Sequence, residues 1–196
     1  MRDSEQGQPR KAHILKTLQI EAVQEIEPTR AMSLKICRPP RTTVTKWKAV
    51  GEKLECLVER KQMPEEWGSL CDSEQETICA EYLRKPRITQ PGFPILKHLL
   101  LPIGRTMKDV DIYGVSSENK LVFAQVTFKN KEKSKQKLEK LKTYSDATSS
   151  LVFFCDCEDC EEVKLHKDVW VVPWKIVEKW LKDEYDYKNI YFNIHH

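Results

Sequence analysis

The chain predicts an α/β fold: a mixed central sheet flanked by helices on both faces, preceded by an N-terminal extension. Three observations lead there. The segments "SSLVFFC" and "VWVVP" are apolar runs of strand length without alternation, the pattern of strands covered on both faces. Apolar stripes at three- and four-residue spacing, Ile78–Cys79–Tyr82–Leu83 and Trp174–Val177–Trp180–Leu181, mark helices. From Ser73 onward the order reads helix, three strands, helix, strand, strand, helix.

Taken in order, residues 1–13 are polar and carry no periodic signal. "AMSLKI" alternates, with Met32, Leu34 and Ile36 on one face, and suits a short strand that Pro39-Pro40 breaks. Val44, Trp47, Val50, Leu54, Leu57 and Val58 then form a helical stripe, weakened at Gly51. "QMPEEWG" closes this part, so the expected division is an extension over 1–66 and a main domain over 67–196.

In the main domain, Ser73 followed by Glu76 reads as a capping box opening the first helix, and Pro86 ends it. "ILKHLLLPI" reads as a buried strand. Val110–Val115 and Leu121–Phe128 are two strands joined by the turn-rich "SSEN". Lys129–Tyr144 becomes helical around Leu138 and Leu141, and Pro173 suits the first turn of the closing helix.

Composition excludes more than it selects. A formal net charge of +3 is too mild to identify a nucleic-acid binder, so any such case rests on local clustering. An apolar share of 40% with five Trp, six Tyr and six Phe is enough for a packed core. "ILKHLLLPI", the longest apolar stretch, is too short and too interrupted to span a bilayer. Seven cysteines with no preceding apolar leader point to reduced thiols in the cytoplasm.

The chemistry concentrates in "KDVDIYGVSSENKLVFAQVTFKN". Asp109 and Asp111 stand at the first strand, and Gln125-x-Thr127 forms a polar-x-polar triplet on the second. One reading is plain: polar residues on the outer face of a half-exposed hairpin. The other follows from the apolar neighbours Val110, Ile112, Val122, Ala124 and Val126, which place the hairpin at the centre of the sheet. Polar groups buried there need partners, a metal or a cleft.

This order of elements, with its acid and its triplet, resembles the PD-(D/E)XK nuclease superfamily over roughly residues 70–182. The likeness is greatest to restriction-endonuclease-like domains of the Mrr-like branch, whose triplet is Gln-x-Lys. The resemblance implies a restriction-endonuclease-like sheet and metal-dependent DNA cleavage in restriction or repair. It makes Asp111 a metal ligand, Gln125 the first triplet residue, and Glu81 the helix acid that some members add. Threonine stands at 127 where the family has lysine. Lys129 shares its strand face and lies roughly 7 Å farther along, so it is the expected replacement.

The reaction explains those roles. A dication, Mg²⁺ or Mn²⁺, offsets charge on the phosphorane and lowers the pKa of the attacking water. Mg²⁺ takes oxygen ligands, often one or two carboxylates with water and phosphate. Asp111 supplies a carboxylate and Gln125 a carbonyl; the lysine steadies developing negative charge.

Two further features bear on partners. "KNKEKSKQKLEKLK" sets seven lysines against two glutamates, a local net of +5, directly after the triplet strand. Lys131, Lys133, Lys135 and Lys137 are the candidates for phosphate contacts, against the plain reading of a solvated helix face. Cys155, Cys157, Cys160 and His166 could formally hold zinc. Their spacing is not that of a common zinc module and three acids lie among the cysteines, so ordinary thiols are expected there. The leading expectation is a DNA nuclease, with a homodimer left open. The alternative is a catalytically inactive nuclease-fold module that binds nucleic acid or a protein partner.

Overall fold

The computed structural model describes residues 67–87, 90–100, 109–128, 131–157 and 161–183, with isolated positions between 51 and 61. The extension over 1–66, with its expected strand and helix, lies almost wholly outside them. Among the described residues no helix is long and apolar enough to cross a membrane.

Helix α1 (Asp72–Arg84) follows a single 3₁₀ turn at Trp67–Ser69. It starts earlier than the sequence signal implies. The carboxylate of Glu74 accepts the Cys71 N–H at 2.8 Å, so Cys71 is the capping position. Ser73 already lies inside the helix, its carbonyl accepting the Thr77 hydroxyl at 2.8 Å. The Ser73–Glu76 pair is therefore not the cap. Ile78, Cys79, Tyr82 and Leu83 are buried as their spacing predicts.

Six strands form one sheet in the order β1-β2-β3-β4-β6-β5. Strands β1 (Leu96–Leu100), β2 (Ile112–Ser116) and β3 (Leu121–Thr127) make an antiparallel meander. Helix α2 (Lys131–Lys142) then crosses over to β4 (Ser149–Cys155), which runs parallel to β3. The short β5 (Lys164–His166) pairs antiparallel with β6 (Val169–Pro173), and β6 is parallel to β4. Helix α3 (Trp174–Asp183) ends the described chain.

Two expectations change. "ILKHLLLPI" is not a buried strand: β1 is an edge strand with only Leu96 buried, and Leu99 and Leu100 are exposed. Hydrophobicity alone does not tell an edge from a centre. The three residues of β5 are too few for a periodicity to reveal them.

Alternation splits the core into two layers. Val122, Ala124 and Val126 of β3 face α1 and α3, joining Ile78, Leu83, Phe154, Val177 and Leu181. Phe123 of β3 faces the other way, with Leu151, Phe153 and Leu141 of α2. Each fully buried large apolar side chain contributes roughly 1.5–3 kcal/mol. The sheet is thus covered on both faces, as the unbroken apolar strands require. Beyond the C-terminal end of β3, between α1 and α2, the layers part.

Candidate active site

The β2–β3 hairpin positions Asp111. Its turn is closed by the Ser116 N–H on the Lys120 carbonyl at 2.8 Å, with Asn119 in the left-handed region at φ 61°. Register runs from Val115 opposite Leu121 to Ile112 opposite Ala124, and the Asp111 N–H reaches the Ala124 carbonyl at 2.9 Å. There the regular ladder stops. The N–H of Val126 donates instead to Asp111 Oδ2 at 2.8 Å, so a carboxylate continues the ladder in place of a backbone carbonyl.

Gln125, only 2% exposed, donates from Nε2 to the same Asp111 oxygen. The predicted pair is therefore in direct contact. It is the amide N–H of Gln125, rather than its carbonyl, that faces the carboxylate. Lys137, from the middle of α2, places Nζ 3.2 Å from the Val126 carbonyl. One short stretch of β3 is thus gripped by an acid from β2 and a cation from α2.

Burial raises the Asp111 carboxyl above its ordinary value; the Val126 N–H and Lys137 pull it down, and Asp72 pushes it up again. The thiol of Cys79, on the buried face of α1, is held well above its usual value by burial first, then by Glu76 and Asp111. Two acids of α1 therefore share the electrostatic neighbourhood of the hairpin acid.

Beside this group opens a cleft of about 270 Å³. Asp72, Gln75 and Glu76 of α1 form one wall, Val126, Thr127 and Phe128 the floor, and Lys133 and Lys137 of α2 the other wall. Acids face lysines across the end of β3. Thr127 lies in the cleft, so the triplet's third position does border the site.

The remaining candidates fall differently. Glu81 bonds Arg84 at 3.4 Å and is not among the cleft residues. Five positions after Glu76, it is turned by roughly 140° on the helix. The α1 acids that border the cleft are instead the exposed Asp72 and the partly buried Glu76. Lys129 lies outside the described residues, and of Lys131 only the backbone is described. Lys135 is exposed and not part of the cleft wall. Asp109 makes a surface ion pair with Lys140 at 2.8 Å. The sequence marks Lys137 for phosphate contact alone. Its place as the ninth residue of the lysine-rich run, in step with Leu141 on the next turn, is the available signal for an inward direction.

The donor set can be weighed against a dication. Among the described residues no three of His, Cys, Asp or Glu stand together as a ready site. Mg²⁺ does not demand one, since one or two carboxylates with phosphate and water suffice. Asp111 with an α1 acid fits that requirement in chemistry. Of the cysteine group, Cys155 is a buried free thiol, Cys157 is disulfide-bonded, His166 lies on β5, and Cys160 is outside the described residues. Cys71, the cap of α1, is also disulfide-bonded, so the reduced state expected of all seven thiols does not extend to these two.

No family model, no curated protein and no solved structure matches the chain.

Proposed function

We propose that this protein is a metal-dependent nuclease of restriction-endonuclease-like architecture that cleaves DNA phosphodiester bonds. The observation that carries the reading is Lys137 Nζ, 3.2 Å from the Val126 carbonyl and beside the Asp111–Gln125 pair, in a cleft that also presents Asp72 and Glu76. The element order supports it too: a helix, an antiparallel three-stranded meander, a crossover helix and a strand parallel to the third.

In this reading Asp111 and Glu76 are the residues that would hold Mg²⁺ or Mn²⁺. The ion, when bound, supplies Lewis-acid stabilisation and a more acidic water. Gln125 orients the Asp111 carboxylate through its amide. Lys137 supplies the positive charge that Thr127 lacks, facing the negative charge that develops on phosphate. Thr127 contributes one hydroxyl. The lysines of α2 hold the strand against the cleft.

The test uses the full chain with Mg²⁺ or Mn²⁺ on plasmid and single-stranded DNA. Cleavage is expected, abolished in Asp111→Ala. In Lys137→Met, kcat falls by roughly 10²- to 10³-fold, the usual loss when one preorganised charge-stabilising donor is removed. Cleavage that survives Asp111→Ala sinks the assignment.

A second reading has its own support: Asp111 Oδ2 is already occupied by the Val126 N–H and the Gln125 amide. A carboxylate so satisfied suits an inactive module that grips DNA without cutting it. DNA binding with no cleavage under any divalent ion selects that reading.

A further inference from the structure

The floor of the cleft carries an aromatic ring with no part in phosphodiester chemistry. Phe128, the residue after β3, is half-buried and lines the cleft together with Thr127, Lys133 and Lys137. Its side chain is held from behind. Trp67 stands edge-on to it, ring centroids 5.3 Å apart at 88°, and Trp174 stacks on Trp67 at 6.4 Å and 28°. Trp174 is anchored in turn by its Nε1, which donates to Asp156 at 2.9 Å. A ring that needed only burial would lie inside the core, as Phe154 does at 0% exposure. Phe128 instead packs on the edge of that core, against Trp67, and is left half-buried at the cleft.

We infer that Phe128 is a stacking platform for an unpaired nucleobase, so that the cleft takes single-stranded DNA in preference to duplex. This rests on the reading of the cleft as a DNA site and names the form of DNA it accepts. A base in a duplex has both faces covered by its neighbours and has none to offer an aromatic side chain. An unpaired base offers a whole π-face, and stacking of this kind tolerates any sequence. Lys133 and Lys137 lie one turn apart on α2, roughly 6 Å along the helix axis, on the wall beside the ring. A backbone running along α2 places its phosphates on these lysines while one base turns onto Phe128. That combination of a basic track and an aromatic face is the usual chemistry of single-strand sites.

The experiment measures binding without chemistry: the full chain in EDTA, by fluorescence anisotropy, with a labelled oligothymidylate and a blunt duplex of the same length. Wild type binds the single strand more tightly. Phe128→Ala weakens single-strand binding by roughly 5- to 150-fold and leaves duplex binding nearly unchanged. Phe128→Tyr, which preserves the ring and the packing against Trp67, retains the preference and guards against misreading a folding defect. Equal affinity for the two DNAs, an equal loss on both in Phe128→Ala, or no binding to either overturns the inference. A Phe128-dependent preference without cleavage leaves it standing and removes the catalytic reading. Cleavage of duplex with no single-strand preference does the reverse.

Discussion

Asp111 is held under opposed influences, and their balance can be read by titration. Burial favours the protonated acid, while the Val126 N–H and Lys137 favour the carboxylate; burial prevails and the carboxyl is raised. An acid raised in the native state binds its proton more tightly there than in the unfolded chain. Its contribution to stability is therefore fully present below the ordinary value of 3.8 and is lost as pH rises through the native value. Asp111→Asn has no ionisation to lose and still offers an oxygen to the Val126 N–H. The variant is expected to gain stability relative to wild type as pH rises from the acid range to neutrality, while losing cleavage. Thermal melts across pH check this; a difference that does not change with pH means burial of the charge does not govern the site. At this scale the sequence names Asp111 and Gln125 correctly as neighbours, because strand alternation and a short turn leave few alternatives. It does not name Lys137 as their companion, since that approach depends on how the α2 crossover seats against β3.

Elements place these residues, and one glycine shows how tightly. Gly114 in β2 lies opposite Leu99 of the edge strand, beside the irregularity between Leu96 and His98. A Cβ there would lie 2.3 Å from the His98 carbonyl oxygen and 2.4 Å from Leu96 Cδ1. The oxygen belongs to backbone and cannot swing aside. Gly114→Ala is expected to destabilise by about 1–3 kcal/mol, through displacement of β1 from β2. That corresponds to a melting temperature lower by about 2–4 °C for each kcal/mol in a chain of this size. An unchanged melting temperature would mean that β1 seats loosely. The crossover helix is equally constrained: among its described side chains only Leu141 is fully buried, with Leu138 partly so, and that narrow apolar contact turns Lys133 and Lys137 toward the cleft. The position of the capping residue is the element-scale signal that misleads. Ser73 and Glu76 have the right spacing, but a carboxylate at Glu74 can serve the Cys71 N–H just as well, and burial of Glu74 at 0% exposure settles the choice.

At the scale of the whole molecule, a net charge of +3 conceals an uneven distribution. The run following β3 carries +5 by itself, and two of its lysines, Lys133 and Lys137, line the cleft, so the remainder of the chain is slightly acidic. Sequence shows the run but not its placement; the parallel pairing of β3 with β4 brings it there, because such a connection must cross one face of the sheet. A second hollow of about 740 Å³ between α1 and α3 also presents lysines, Lys175 and Lys179, but with Glu161, Glu162 and Asp183 among them. These two surfaces separate local attraction from overall charge. Lys133→Gln with Lys135→Gln should reduce the dependence of log affinity on log salt by about 0.7 for single-stranded DNA, for the one phosphate that Lys133, the cleft lysine of the pair, no longer neutralises. Lys175→Gln with Lys179→Gln removes the same net charge and should leave that slope unchanged. All four positions are exposed, so neither pair should alter stability by more than about 0.5 kcal/mol per site. Equal slopes for the two double variants would assign binding to the charge of the whole chain, and the α2 face of the cleft would lose its role.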